Sequence, residues 1–176
     1  RQSTQVELSG KAISNYFYYD TMVAPVQDDF AYNVGMTARH KFQIGSFSFP
    51  LTVRGNLTSE NIRMTPLDVS AGLFVNLKAF NKKLKLDLGF NANWFASFYA
   101  NAFELSTGVT YIQDSIQIGG YPYVDLVLKS SVSRASFYLI LTHVNENFTG
   151  RNYFMMPGYL EQSRRFLFGL SWRFIN

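Results

Sequence analysis

Apolar and polar side chains alternate along most of this chain, most cleanly in "LKLDLGFNANWFA". Leu84, Leu86, Leu88, Phe90, Ala92, Trp94 and Ala96 take one set of positions there, and Lys85, Asp87, Gly89, Asn91 and Asn93 take the other. Successive side chains of a β-strand point to opposite faces, whereas a helical repeat would scatter the two sets around its axis. The same period runs through "FSFPLTVRGNLT", where Phe47, Phe49, Leu51, Val53 and Leu57 oppose Ser48, Thr52, Arg54, Asn56 and Thr58. It recurs in "FAYNVGMTARHKF", where Phe30, Tyr32, Val34, Met36, Ala38 and Phe42 oppose Asn33, Gly35, Thr37, Arg39 and Lys41. Weaker alternation covers residues 6–18, 68–80, 122–132 and 135–148. The closing "RRFLFGLSWRFIN" sets Phe166, Phe168, Leu170, Trp172 and Phe174 against Leu167, Gly169, Ser171 and Arg173, which brings the predicted strands to eight. Residues 99–120 are ambiguous: "VTYIQDSIQI" reads as a strand, but its flanks "NAFELSTG" and "GGYP" read as loop.

Connection lengths sharpen the picture. Residues 43–46, 81–83 and 131–134 are short and carry Gly, Asn or Ser suited to hairpins. Residues 20–29, 59–67, 99–121 and 149–164 are longer. Short turns at one end and long loops at the other are expected of an outer-membrane β-barrel, with both chain ends on the short-turn, periplasmic side. We therefore expect an all-β fold, an antiparallel transmembrane barrel region over residues 1–176 that ends in a strand at 164–175.

Composition agrees with a membrane location through strands. The chain has 176 residues, a net charge of +4, no cysteine and 17% aromatic residues, yet its mean hydropathy is only −0.04. Its apolar runs, such as "YLIL" and "FMM", are far shorter than the roughly 20 residues a membrane-spanning helix needs. A soluble, lipocalin-like barrel also has alternating strands, but turns its apolar face inward and a charged face to water. Here the polar faces are rich in Asn, Ser, Thr and Gly, and Phe47, Phe49, Trp94, Phe98, Tyr99, Trp172 and Phe174 gather near strand ends, where aromatic girdles meet the lipid interfaces. The start "RQSTQVELSG" has no leader-like pattern, and the tail of a longer protein is the expected reading.

Several stretches resemble a known family. "IGGYPYVDLVLKSSVSRASFYLILTHVNEN", "YFMMPGYLEQSRRFLFGLSWRF", "NYFYYD" and "KKLKLDLGFNANWFASFYANAF" are similar to the C-terminal part of the putative porin family of Bacteroidota outer membranes. The resemblance implies a longer protein, a location in the outer membrane against lipid and lipopolysaccharide, and insertion by the barrel-assembly machinery. It also implies that Gly169, Trp172 and Phe174 form the C-terminal insertion signal which that machinery reads.

Candidate chemistry is sparse. His40 and His143 are isolated, and no HExxH or CxxC spacing occurs, so neither a metal nor another cofactor is expected. Asp87 and Asp125 stand near Lys85 and Lys129, which reads as an inward ion network more readily than as an acid/base pair. Gly119-Gly120 lacks the strand-to-helix context of a phosphate loop and reads as a turn. Basic residues, Lys11, Lys41, Lys78, Lys82, Lys83, Arg134 and Arg173 among them, are assigned to the periplasmic half, and acidic ones to the outer loops. Nucleic acid is not an expected partner, because the cations follow no single groove with stacking aromatics. We expect no enzyme but a passive diffusion channel, its wet lumen lined by Arg39, Arg54, Lys85, Asp87, Asn91, Asn93, Asp125 and Lys129. The alternatives are a scaffold barrel within an outer-membrane protein complex and the last strands of a TonB-dependent receptor.

Overall fold

A computed structural model describes residues 3–81, 83–148 and 153–174. Expectations for Lys82, for residues 149–152 of the last long connection and for residue 175 of the last strand lie outside these residues. The chain is all-β: β1 (Ser3–Tyr19), β2 (Pro25–Ile44), β3 (Phe47–Thr58), β4 (Leu67–Ala79), β5 (Leu84–Phe95), β6 (Phe98–Tyr99), β7 (Ala102–Glu104), β8 (Val109–Tyr111), β9 (Gln117–Ile118), β10 (Tyr123–Val132), β11 (Ala135–Thr142), β12 (Phe154–Met156), β13 (Tyr159–Leu160) and β14 (Arg165–Trp172). Eight of them form one sheet in the order β1-β2-β3-β4-β5-β10-β11-β14, and the short strands pair as the ribbons β6-β9, β7-β8 and β12-β13. All pairings are antiparallel. Among the described residues the large sheet is open, with β1 and β14 as its edges.

Register joins the separate apolar stripes into one surface. Leu8 pairs with Met36, Ala38 with Val53, Val53 with Val69, Val75 with Leu88, Leu88 with Leu128, Leu128 with Leu139 and Leu139 with Phe168. A slip of one residue at any pair would turn that strand's apolar set to the other side, so pattern and pairing agree across the whole sheet. This surface is uncovered: Leu8 is 75% exposed, Leu57 65% and Phe168 65%. Apart from Ala31 on β2 and Ala135 on β11, the buried apolar residues Ala100, Ala102, Ile112, Ile118 and Tyr121 all lie in the connection between β5 and β10. A lipocalin-like fold would enclose its apolar face; this one presents it.

The turns explain where strands stop. Gly45 (φ 58°), the pair Phe80 and Asn81 (φ 49° and 53°), and Ser133 (φ 51°) adopt the left-handed backbone that tight hairpins require. Phe80 therefore belongs to the turn, not to the predicted strand 68–80, and β11 ends at Thr142 because His143 also turns left-handed at φ 52°. The predicted strand 135–148 loses its last residues for that reason. A larger correction concerns residues 20–29, expected as a long loop. Asp20 Oδ1 accepts the Met22 and Ala24 amides at 2.8 and 2.9 Å, which closes the turn at 20–24 and lets β2 begin at Pro25. The remaining long connections, which leave the sheet after Thr58, Phe95 and Thr142, share the end where this turn lies, and the tight turns, the start of β1 and the end of β14 lie at the opposite end.

Candidate functional site: the polar inner face

The side of the sheet opposite the apolar surface carries every candidate lumen residue. Arg39 pairs with Thr52, Arg54 with Asp68, Asn93 with Ser70, Asn91 with Gly72, Asp87 with Asn76 and Lys85 with Lys78. Across the next strand pair, Asp87 faces Lys129 and Asn91 faces Asp125. Sequence alternation thus placed these residues on one face, and the register brings them into neighbouring rows.

Two grooves lie along that face. The first, of about 350 Å³, is lined by Arg39, Thr52, Arg54, Asp68, Ser70 and Asn93. Arg54 meets Asp68 at 3.3 Å, and beside it Arg39 meets Glu7 at 3.1 Å. Both pairs are partly exposed and so contribute little stability. The second groove, of about 280 Å³, is lined by Lys41, Ser48, Phe74, Asn76, Asp87 and Lys129. Asn76 Nδ2 donates to Asp87 Oδ1 at 2.8 Å, and Lys129 Nζ sits 5.5 Å from the centre of the Tyr138 ring. Phe74 crowds the floor: a Cβ on Gly89 would run into the Leu73 carbonyl and come within 2.7 Å of the Phe74 Cα and ring, so β4 and β5 approach there because Gly89 has no side chain.

The remaining candidates separate. Asp125 is four residues from Lys129, the partner of Asp87, so at about 3.4 Å per residue the two carboxylates are about 14 Å apart, too far to share a proton. Asp125 Oδ1 instead accepts the His143 backbone amide at 3.0 Å. Not all of the inner face is polar, since Val127, Tyr138, Ile140 and Leu167 share it on β10, β11 and β14. Lys11, assigned to the short-turn half, pairs with Asn33, which pairs with Thr58 at the loop end of β3, so it lies nearer the loop end. Gly169 pairs with Tyr138, Trp172 pairs with Ala135 on the apolar side, and Phe174 lies beyond the end of β14.

His143, isolated in sequence, turns out to be the centre of a packed cluster. It is fully buried, stacks on Tyr123 at 4.1 Å, and has Tyr121 and Tyr153 edge-on. Its Nε2 lies 2.8 Å from the Tyr121 hydroxyl, and Tyr123 Oη donates to the Gln162 carbonyl at 2.7 Å. Arg164 donates through its guanidinium to the Val144 carbonyl at 3.1 Å, and its backbone amide donates to Glu146 Oε2 at 2.9 Å, which holds that carboxyl below the ordinary glutamate range. The cluster ties the base of the β11–β14 connection to the start of β10. His40 packs against Phe42 at 4.0 Å and has Thr4 Oγ1 2.6 Å from Nδ1, on the apolar side. Among the described residues no group of three His, Cys, Asp or Glu could hold a metal, and no helix is long and apolar enough to cross a membrane.

An exposed apolar surface backed by a polar, charged face is what a strand-built membrane pore presents. A family profile described as "Putative porin" matches residues 1–176. The chain belongs to this porin family. Membership supports a porin-like, non-enzymatic outer-membrane protein. No curated protein and no solved structure matches the chain.

Proposed function

We propose that this chain forms part of a transmembrane β-barrel in the bacterial outer membrane, and that its inner face lines a path for passive diffusion of small polar solutes. The observation that carries the reading is the apolar surface running unbroken from Leu8 to Phe168 behind a groove-bearing polar face. In hydrocarbon such a surface is favourable, but an open edge is not, because each unpaired backbone group costs several kcal/mol. The edges of β1 and β14 therefore require pairing. A barrel of eight strands is filled by its own side chains, so an open path implies additional strands.

Charge favours anions in that path. Lys41, Lys78, Lys85 and Lys129 point to the inner side and take part in none of the ion pairs among the described residues. Anions within about 8 Å of them feel their summed potential at physiological salt. Bilayer recording should show ohmic conductance with modest anion preference, and Lys85→Glu with Lys129→Glu should move the reversal potential towards cations, less so in molar salt. Conductance with unchanged selectivity would remove these lysines from the path. Absence of conductance would instead favour a scaffold barrel.

A further inference from the structure

The connection between β5 and β10 does not stay near its roots. Those strands are neighbours, yet the Ile112 amide donates to the Tyr19 carbonyl at 2.9 Å, at the end of edge strand β1. From β5 to β1 is four strand spacings, about 19 Å. On the way Asp114 Oδ1 meets Arg63 Nη2 of the β3–β4 connection at 2.7 Å. Residues 96–122 therefore reach from β5 past the β3–β4 connection to the end of β1, along the rim where the inner face opens at the loop end.

This segment is stiff within itself and weakly tied at its tip. Buried Gln113 donates through Nε2 to the Ala100 and Ile116 carbonyls at 2.7 and 2.8 Å, and its Oε1 accepts the Ser115 and Ile116 amides at 2.9 and 2.8 Å. The ribbons β6-β9 and β7-β8 and buried Ala100, Ala102, Ile112 and Ile118 complete a small core. It rejoins the sheet through Gly119 and Gly120, whose φ values of 102° and 73° only glycine adopts easily; a Cβ on Gly119 would also come within 2.8 Å of the Ala96 carbonyl. Among the described residues its tip has one backbone hydrogen bond to β1 and one ion pair to the β3–β4 connection, while Phe103 packs edge-on against Tyr159 of the β12–β13 ribbon at 6.5 Å. Arg63 makes that pair through a single nitrogen, its Nε being shielded without a partner, and the Asp114 side chain is 57% exposed. A pair of this kind is readily broken.

We propose that residues 97–118, between the anchored Ala96 and the Gly119-Gly120 turn, form a movable roof over the mouth of the polar path, latched by Arg63 and Asp114, and that unlatching sets the size of solute admitted. The inference rests on the diffusion-path reading and adds its gate. Residues 1–176 contain no cysteine, which permits a direct test: place Arg63→Cys with Asp114→Cys in the full protein, with any cysteine outside these residues replaced by Ser, join the two through a reducible bismethanethiosulfonate bridge that matches the reach of the arginine–aspartate pair, and measure liposome uptake of neutral sugars and polyethylene glycols of rising size. Uptake of the larger probes should be low when the pair is bridged and rise on reduction. Arg63→Ala should match the reduced form, and Arg63→Asp with Asp114→Arg should restore the parent size limit. Equal size limits in the bridged and reduced forms would overturn the gate. Hydrogen exchange gives an arm independent of transport: the Ile112 amide should exchange about fivefold faster in Arg63→Ala, the factor an exposed ion pair at the upper end of its range carries. If no form transports anything, the diffusion reading fails, and the latch then stands or falls on that exchange rate, an unchanged rate overturning it.

Discussion

Phe168→Arg separates a lipid-facing sheet from one that faces water. Phe168 lies mid-way along β14, opposite Leu139, and is 65% exposed. In water, replacing such a residue would change stability by no more than about 0.5 kcal/mol, since little buried area is lost and the new charge stays solvated. In a bilayer the same guanidinium enters hydrocarbon, at a cost of about 2–4 kcal/mol near the midplane. At about 1.4 kcal/mol per decade, that is a drop of roughly 30- to 700-fold in the folded-to-unfolded ratio. Leu167→Arg is the control one residue away: Leu167 faces the inner side opposite Ile140. Its new charge would meet water, so a loss below about 1 kcal/mol is expected. Urea titration of the protein refolded into phospholipid vesicles, followed by heat-modifiable gel mobility, reads both. If Phe168→Arg stays within about 0.5 kcal/mol of the parent in vesicles, the apolar surface does not meet lipid and the membrane reading is refuted.

Two further outcomes concern the β11–β14 connection. His143→Ala leaves a void among Tyr121, Tyr123 and Tyr153 and removes the partner of the Tyr121 hydroxyl; protease cleavage within 143–164 should rise as this region loses about 2–4 kcal/mol of local stability, with the sheet intact by circular dichroism. Glu146 contributes through its ionised form, because the Arg164 amide holds its carboxyl below the ordinary 4.5. That contribution is complete above the ordinary value and is lost as pH falls through the lowered one, so cleavage should step up in acid and Glu146→Gln should show no step.

Legibility differed sharply between strands and loops. A stretch such as residues 84–96 states its conformation and its two faces locally, because period two is a property of adjacent residues. The hairpin turns were nearly as plain, being fixed by a few residues of allowed left-handed backbone. The 20–29 connection misled, because Asp20 closes the turn early through its own carboxylate, a side-chain geometry that composition does not display. In the segment 99–120 the strand-like "VTYIQDSIQI" was split, since buried Gln113 folds the backbone around its amide between β8 and β9.

By itself, then, the sequence determined eight strands, an apolar and a polar set of positions on each, and which residues share the polar set, because those follow from alternation. Only tertiary structure decided that the apolar sets join into one exposed surface, since that depends on register between strands far apart in the chain. It alone placed His143 within its tyrosines and carried Asp114 to Arg63, 51 residues away. Contacts of that separation are made by the path of the backbone, and no local period of hydrophobicity encodes them.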